Sequence, residues 1–105
     1  GGITGAMKRA RVAEGHGLDV EFHAPGPAQR HCIAATRNTN YYELALVHPD
    51  APNTQPPVYQ GDYSDMLDTV DDEGCVEVPE GPGLGVEYDW NEIEARATGS
   101  VHTYE

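Results

Sequence analysis

Basic residues are scarce in this chain. Six Lys and Arg stand against 18 Asp and Glu, a formal charge of −12, and Lys8 is the one lysine. Phosphate binding needs clustered Lys and Arg, so neither nucleic acid nor an anionic membrane surface is expected as a partner. No run reaches the ~18 apolar residues of a membrane span. No basic stretch leads into an apolar one in the manner of a secretory signal. Cysteine is nearly absent as well. Cys32 and Cys75 lie in no Cys-x-x-Cys or Cys/His spacing, which argues against a disulfide framework and a zinc site. Both are expected to be buried small hydrophobes in a reducing, cytoplasmic compartment. There is no internal repeat and no initiator methionine, and the chain opens at Gly1 on what reads as a turn. It is therefore expected to be the tail of a larger protein.

What is present fits one small domain, which at this size buries about 60–70% of its unfolded surface. The acidic excess has two readings. One is disorder; the other is a protein of a high-salt cytoplasm, where ions screen the self-repulsion. Orderly apolar patterns in the first half favour the second.

Ile3, Ala6, Met7, Ala10 and Ala13 form one apolar helix face. Thr4 is the expected N-cap, and Gly15 and Gly17 are candidate terminators. Leu18, Val20 and Phe22 then alternate with Asp19, Glu21 and His23, a strand period. A tight Ala24-Pro25-Gly26 loop leads to Pro27, suited to the first position of a helix. That helix is predicted over residues 27–36, with Ala28, Cys32 and Ala35 as its small-residue face. A polar connector precedes a second apolar run from Tyr41, with Glu43 inside it. Helix and strand alternating with short connections argue for a parallel α/β sheet or barrel.

The second half differs. Residues 48–57 are rich in Pro and Asn and show no period. A short helix is predicted within 62–70, a turn at 71–74, a short strand at 75–78, a crossing segment at 81–85, and an extended start from Val86 leading to a helical turn at 91–96. Tyr88, Trp90 and Ile93 are expected to anchor this tail by packing.

Two residues stand out chemically. His23 ends a parallel-type strand, where catalytic side chains collect in a (β/α)₈ barrel, and a histidine titrates near neutrality. Glu43 sits among Tyr41, Tyr42, Leu44 and Leu46, where a carboxylate is costly unless paired or protonated; if its pKa is raised it can donate to a developing oxyanion. Glu21 should share the face of His23, in a structural role. Asp68, Asp71, Asp72 and Glu73 read as a solvated acidic turn without EF-hand spacing. His16, His31, His48 and His102 have no ligand spacing, and no Lys-Ser/Thr follows residues 81–85 as a phosphate loop requires.

Gly1-Gly2-Ile3-Thr4-Gly5, His23, Glu43 and Gly81-Pro82-Gly83-Leu84-Gly85-Val86 together resemble the C-terminal part of the enolase superfamily, and within it the mandelate racemase subgroup, which holds many acid-sugar dehydratases. The order matches the family's, with His23 21 residues after Gly2 and Glu43 20 after His23, and the resemblance covers nearly the whole chain. It implies a TIM-type barrel with an α+β capping domain. Residues 1–47 would be the last barrel units, with 18–23 as strand seven and 41–46 as strand eight, and 48–105 a tail returning to the capping domain.

The resemblance also implies abstraction of the proton α to a carboxylate, with the enediolate stabilised by Mg²⁺. His23 matches the family's histidine base or acid, which in a dehydratase could also protonate the departing β-hydroxyl. Glu43 matches the acid that hydrogen-bonds the oxyanion. The magnesium carboxylates, the opposing lysine motif and the aspartate orienting the histidine have no counterpart in this sequence. The chain alone is thus expected to bind no catalytic magnesium and to turn nothing over. The leading expectation is the end of a homo-oligomeric lyase acting on a sugar acid. A racemase or epimerase of 2-hydroxy acids is the alternative within the superfamily; Phe22-His23-Ala24-Pro25-Gly26 and Pro56-Pro57-Val58-Tyr59 look more like the sugar-acid enzymes. An acidic, non-catalytic binding module is the alternative of another class.

Overall fold

The structure, a computed structural model, describes residues 1–44 and 58–99. Residues 45–57, which include the end of the second predicted strand, the Pro- and Asn-rich stretch and His48, lie outside the described residues, as does His102.

Helix α1 spans Gly2–Gly15. Ala, Met, Lys and Arg fill its middle, and their high helix propensity offsets Gly2, Gly5 and Gly15. Thr4 lies inside the helix rather than capping it. Gly1 takes the cap position without a side-chain bond, a position glycine tolerates well. The far end stops as expected. Gly17, at φ +69°, donates its N–H to the Glu14 carbonyl, and Leu18 donates to that of Ala13, both at 3.0 Å. These two bonds make a Schellman end, and its left-handed position calls for glycine.

Helix α2 spans Pro27–Ala34, with Pro27 in its first turn. It stops two residues short of the predicted end. Ala35 is the C-cap, and the Thr36 hydroxyl turns back to the Cys32 carbonyl at 2.7 Å, occupying an acceptor that the helix leaves open. The two helices pack together. Ala10, Pro27 and Cys32 are the buried apolar side chains among the described residues. No described Leu, Ile, Val or Phe is fully buried, although each would contribute roughly 1.5–3 kcal/mol if it were. Leu18, Tyr41, Leu67 and Trp90 are more than half exposed.

Of the stretches predicted as strands, residues 18–23 and the described 41–44 run side by side in the same direction, but neither is a strand. One backbone bond, from the Val20 N–H to the Asn38 carbonyl at 2.8 Å, joins the first stretch to the connector that leads into the second. Side chains supply the remaining links. Asn38 Nδ2 donates to the Leu18 carbonyl at 2.7 Å, and carboxylates of Glu21 and Glu43 take the amides of Asn40, Tyr41 and Ala24. Parallel pairs are stable chiefly within larger sheets covered on both faces. No third strand flanks this pair among the described residues, and its amide donors turn to carboxylates instead.

The tail returns to α2. Arg30, 4% exposed in mid-helix, meets Asp65, 1% exposed, with Nη2 2.7 Å from Oδ1. Strands β1 (Tyr59–Gln60) and β2 (Glu87–Tyr88) pair antiparallel, Tyr59 opposite Tyr88. The rings of Tyr63, Tyr59, Tyr88 and Trp90 follow one another with centroids 4.7, 5.4 and 6.0 Å apart, the tilted contacts aromatic pairs prefer. Trp90, expected as an anchor, is 65% exposed; the buried Arg30–Asp65 pair fastens the tail.

A 3₁₀ turn at Leu67–Thr69 replaces the predicted short helix. Asp71 Oδ1 accepts from the Glu73 and Cys75 amides at 2.9 and 2.8 Å, building the predicted turn. The strand predicted at 75–78 reduces to a single bridge between Val70 and Val76. Cys75 is exposed at that turn, whereas Cys32 is buried as expected. Helix α3 (Trp90–Ala95) forms where a helical turn was predicted, capped by Asp89, which accepts from the Glu92 amide. Gly85, at φ +70°, has no room for a side chain: a Cβ there would lie 2.6 Å from the Pro79 carbonyl oxygen.

Candidate active site

His23 and Glu43 meet. The segments that carry them lie side by side, and His23 Nδ1 lies 2.9 Å from Glu43 Oε2. The same oxygen accepts the backbone N–H of Ala24 at 2.8 Å. The histidine ring is 91% exposed and the glutamate 42%. The Ala24 N–H is the leading influence holding the Glu43 carboxyl below the usual carboxylate range; loss of hydration opposes it, and the bond and charge of His23 add to it. Glu43 is therefore ionised rather than a raised, protonated acid. A carboxylate at Nδ1 fixes the neutral imidazole with its proton on Nδ1 and its lone pair on Nε2. That nitrogen makes no hydrogen bond to the described residues and is the one free to accept a proton.

Two openings adjoin the pair. A cleft of about 690 Å³ lies between α1, α2 and the 20–23 segment, with Ile3, Ala10, Val20 and Phe22 among its apolar walls and Arg9 and His23 among its polar ones. A smaller one of about 300 Å³ lies over Phe22, His23, Tyr42 and Glu43. His23 lines both.

Glu21 does not act on His23. Its oxygens accept from Thr39 Oγ1, the Asn40 side chain and the Asn40 and Tyr41 amides at 3.2–3.3 Å. Lost hydration would raise its pKa, but the bonds from Tyr41, Asn40 and Thr39 together lower it. Its role here is to tie the two segments together.

Four contributors escaped the sequence reading: Ala24, Tyr42, Asp65 and Arg30. Ala24, at φ +69°, is the positive-φ residue other than glycine among those described, and its conformation aims the amide at Glu43. The Tyr42 hydroxyl accepts from the Gly26 N–H at 2.8 Å and donates to Asp65 Oδ1. Arg30 completes the set beside Asp65. Successive side chains of an extended segment alternate in direction, so placing Glu43 toward His23 could have placed Tyr42 on the opposite side. Nothing local singles out Arg30 on its small-residue helix, or Ala24.

A family model described as "Enolase C-terminal domain-like" matches residues 1–93. The chain belongs to that family. It is also similar to an L-rhamnonate dehydratase of Saccharopolyspora erythraea, 31% identical over 98 residues, which are 91% of this chain and 24% of that protein. The enolase-like chain thus spans about a quarter of its relative's length. No solved structure matches it.

Enolase-superfamily enzymes generally use Mg²⁺. The described residues of this enolase-like chain do not fit that ion: none of them form a group of three or more His, Cys, Asp or Glu suited to a metal. Magnesium asks for an octahedral set of oxygens. Glu43 is a single carboxylate whose Oε2 is already committed to two nitrogen partners. No helix among the described residues is long and apolar enough to cross a membrane.

Proposed function

We propose that the chain is the C-terminal portion of an acid-sugar dehydratase and supplies its histidine acid/base. In this reading residues 1–47 are the last units of a TIM-type barrel, residues 48–105 return toward a capping domain, and the magnesium ligands and opposing base come from elsewhere in a longer protein. The observation that carries the reading is the 2.9 Å approach of Glu43 to His23 Nδ1, which leaves Nε2 as the proton acceptor at the mouth of a cleft.

His23 Nε2 takes the proton α to the substrate carboxylate, and the C–H electron pair moves into the enediolate. The imidazolium so formed is stabilised by the ionised Glu43. It then returns the proton to the β-hydroxyl, which leaves as water while the electron pair forms the new C=C bond. Glu43 thereby acts on the histidine, a different task from the oxyanion donor that the family resemblance implies. The family match fits either reaction, and the likeness to an enzyme named as an L-rhamnonate dehydratase favours elimination over racemisation.

The test uses L-rhamnonate and related six-carbon sugar acids with Mg²⁺ present. A longer protein that contains this chain is expected to form the 2-keto-3-deoxy acid. In that protein His23→Asn is expected to lower kcat by roughly 10²–10⁴-fold, and the 105-residue chain alone is expected to form no product. Turnover by the isolated chain, or a His23→Asn protein of undiminished kcat, would sink the reading.

A further inference from the structure

Asp65 lies in the second half of the chain, far in sequence from the candidate site, and is the most deeply buried charged side chain described, at 1% exposed. Its Oδ1 accepts from Arg30 Nη2 at 2.7 Å and from the Tyr42 hydroxyl, and its Oδ2 accepts from the Tyr63 hydroxyl at 2.8 Å. Arg30 also donates to the Ser64 and Glu77 carbonyls and lies over the rings of Tyr42 and Tyr63, 5.1 and 4.8 Å from their centroids. Docking the tail accounts for the Arg30 contacts. The bond to Tyr42 does something more.

Tyr42 and Glu43 are adjacent on one extended segment, and each binds the same short loop. Tyr42 takes the Gly26 N–H at 2.8 Å, and Glu43 takes the Ala24 N–H at 2.8 Å. The loop is thereby stapled to the 42–43 pair at both ends. Ala24 is held at φ +69°, a conformation that costs an L-residue free energy and persists only where surroundings impose it. The surroundings on one side are Tyr42, and Tyr42 is fixed by Asp65.

We propose that Asp65 is a positioning residue for the His23–Glu43 pair: through the Tyr42 hydroxyl it pins the Ala24–Gly26 loop, whose Ala24 N–H keeps Glu43 against His23. This rests on the reading of that pair as the acid/base unit. It gives the second half of the chain a part in the chemistry, since the tail must dock before the histidine is oriented.

The test reads the His23 ring in the ¹⁵N-labelled 105-residue chain at about pH 8, where an ordinary imidazole is neutral. Wild type is expected to show the Nδ1–H tautomer, and Glu43→Ala the mostly Nε2–H pattern of a free imidazole. Asp65→Asn and Tyr42→Phe are expected to move toward the free pattern, with the Ala24 amide exchanging roughly fivefold faster. Circular dichroism and melting establish that each variant is folded. Tyr42→Phe retains the Arg30–Asp65 pair and carries the test alone if Asp65→Asn does not fold.

If a folded Tyr42→Phe chain melts lower but keeps the wild-type tautomer and Ala24 exchange, while Glu43→Ala changes the tautomer, the positioning role is overturned and the pair stands. If wild type already shows the free pattern and Glu43→Ala alters nothing, the pair itself is wrong, and the positioning role falls with it.

Discussion

The Ala24 N–H and His23 Nδ1 converge on one oxygen of Glu43, at 2.8 and 2.9 Å. One carboxylate oxygen thus holds both the backbone of the loop and the ring of the preceding residue. A change in the charge of Glu43 loosens two contacts together.

The first consequence is acid lability. The Glu43 carboxyl is lowered from its ordinary 4.5, led by the Ala24 bond. The Glu21 carboxyl is lowered as well, the bonds from residues 39–41 outweighing lost hydration. A carboxyl lowered on folding stabilises the fold above its unfolded pKa and loses that contribution as pH falls through the folded value. Stability is therefore expected to fall as pH drops below about 4.5. Denaturant midpoints followed across that range should decline less steeply in Glu21→Gln/Glu43→Gln than in wild type. An equal decline in both would mean that neither carboxylate is held as described.

Ala24 and Gly85 give opposite expectations for glycine and alanine. Ala24→Gly relieves a left-handed conformation worth about 1–2 kcal/mol but adds unfolded-state freedom worth roughly 0.5–1 kcal/mol. The fold is expected to gain up to about 1.5 kcal/mol, while the loop loses rigidity. Gly85→Ala combines a strained φ with a Cβ 2.6 Å from the Pro79 oxygen and is expected to destabilise by more than about 1 kcal/mol. Thermal melts of the two variants check both signs; a stable Gly85→Ala would show that the 81–85 turn is free to rearrange.

Much of the fold was legible because it is set locally. The Ala- and Met-bearing face of α1, the Gly17 terminator, Pro27 opening α2, the Asp71 turn and the helical turn of α3 each depend on a few neighbouring residues. The strands were not legible in the same way. The alternation of Leu18, Val20 and Phe22 states a preference for extended chain, but a parallel pair is stable chiefly within a larger covered sheet, and here Glu21 and Glu43 take amides in place of a ladder. The meeting of His23 and Glu43 was foreseeable from their places on two neighbouring apolar runs, His23 ending the first and Glu43 lying within the second. The Ala24 N–H and the Arg30–Asp65–Tyr42 set were not, since they arise from contacts between residues 16 to 35 positions apart.

The Arg30–Asp65 pair is the best-buried feature among the described residues, whose apolar core is small. Removing one partner leaves the other charge buried and unpaired, which costs about 3–5 kcal/mol in comparable cases. Arg30→Met and Asp65→Leu are each expected to weaken the tail's hold on α2 severely, by that order. The double variant, which removes both charges, should recover a large part of the loss. A double-mutant cycle by denaturant unfolding checks this, and single variants of near wild-type stability would mean that the tail is fastened by other contacts.

The net charge makes salt a lever that acts differently on different parts of the molecule. With 18 acidic and six basic residues, repulsion among exposed carboxylates opposes the compact state. At 0.1 M salt the screening length is about 10 Å, and at 1 M about 3 Å. Raising the salt is therefore expected to raise the melting temperature, as the high-salt reading of the composition requires. The exposed pairs Arg11–Glu14 and Arg96–Glu92 lose little, because such pairs contribute about 0–1 kcal/mol to begin with. The Arg30–Asp65 pair, with side chains 3% and 0% exposed, lies beyond the reach of counterions. Its coupling energy in the double-mutant cycle should then be the same at low and high salt, even as the overall stability rises. A melting temperature that is flat or falling with added salt would rule out self-repulsion as the dominant electrostatic influence on this fold.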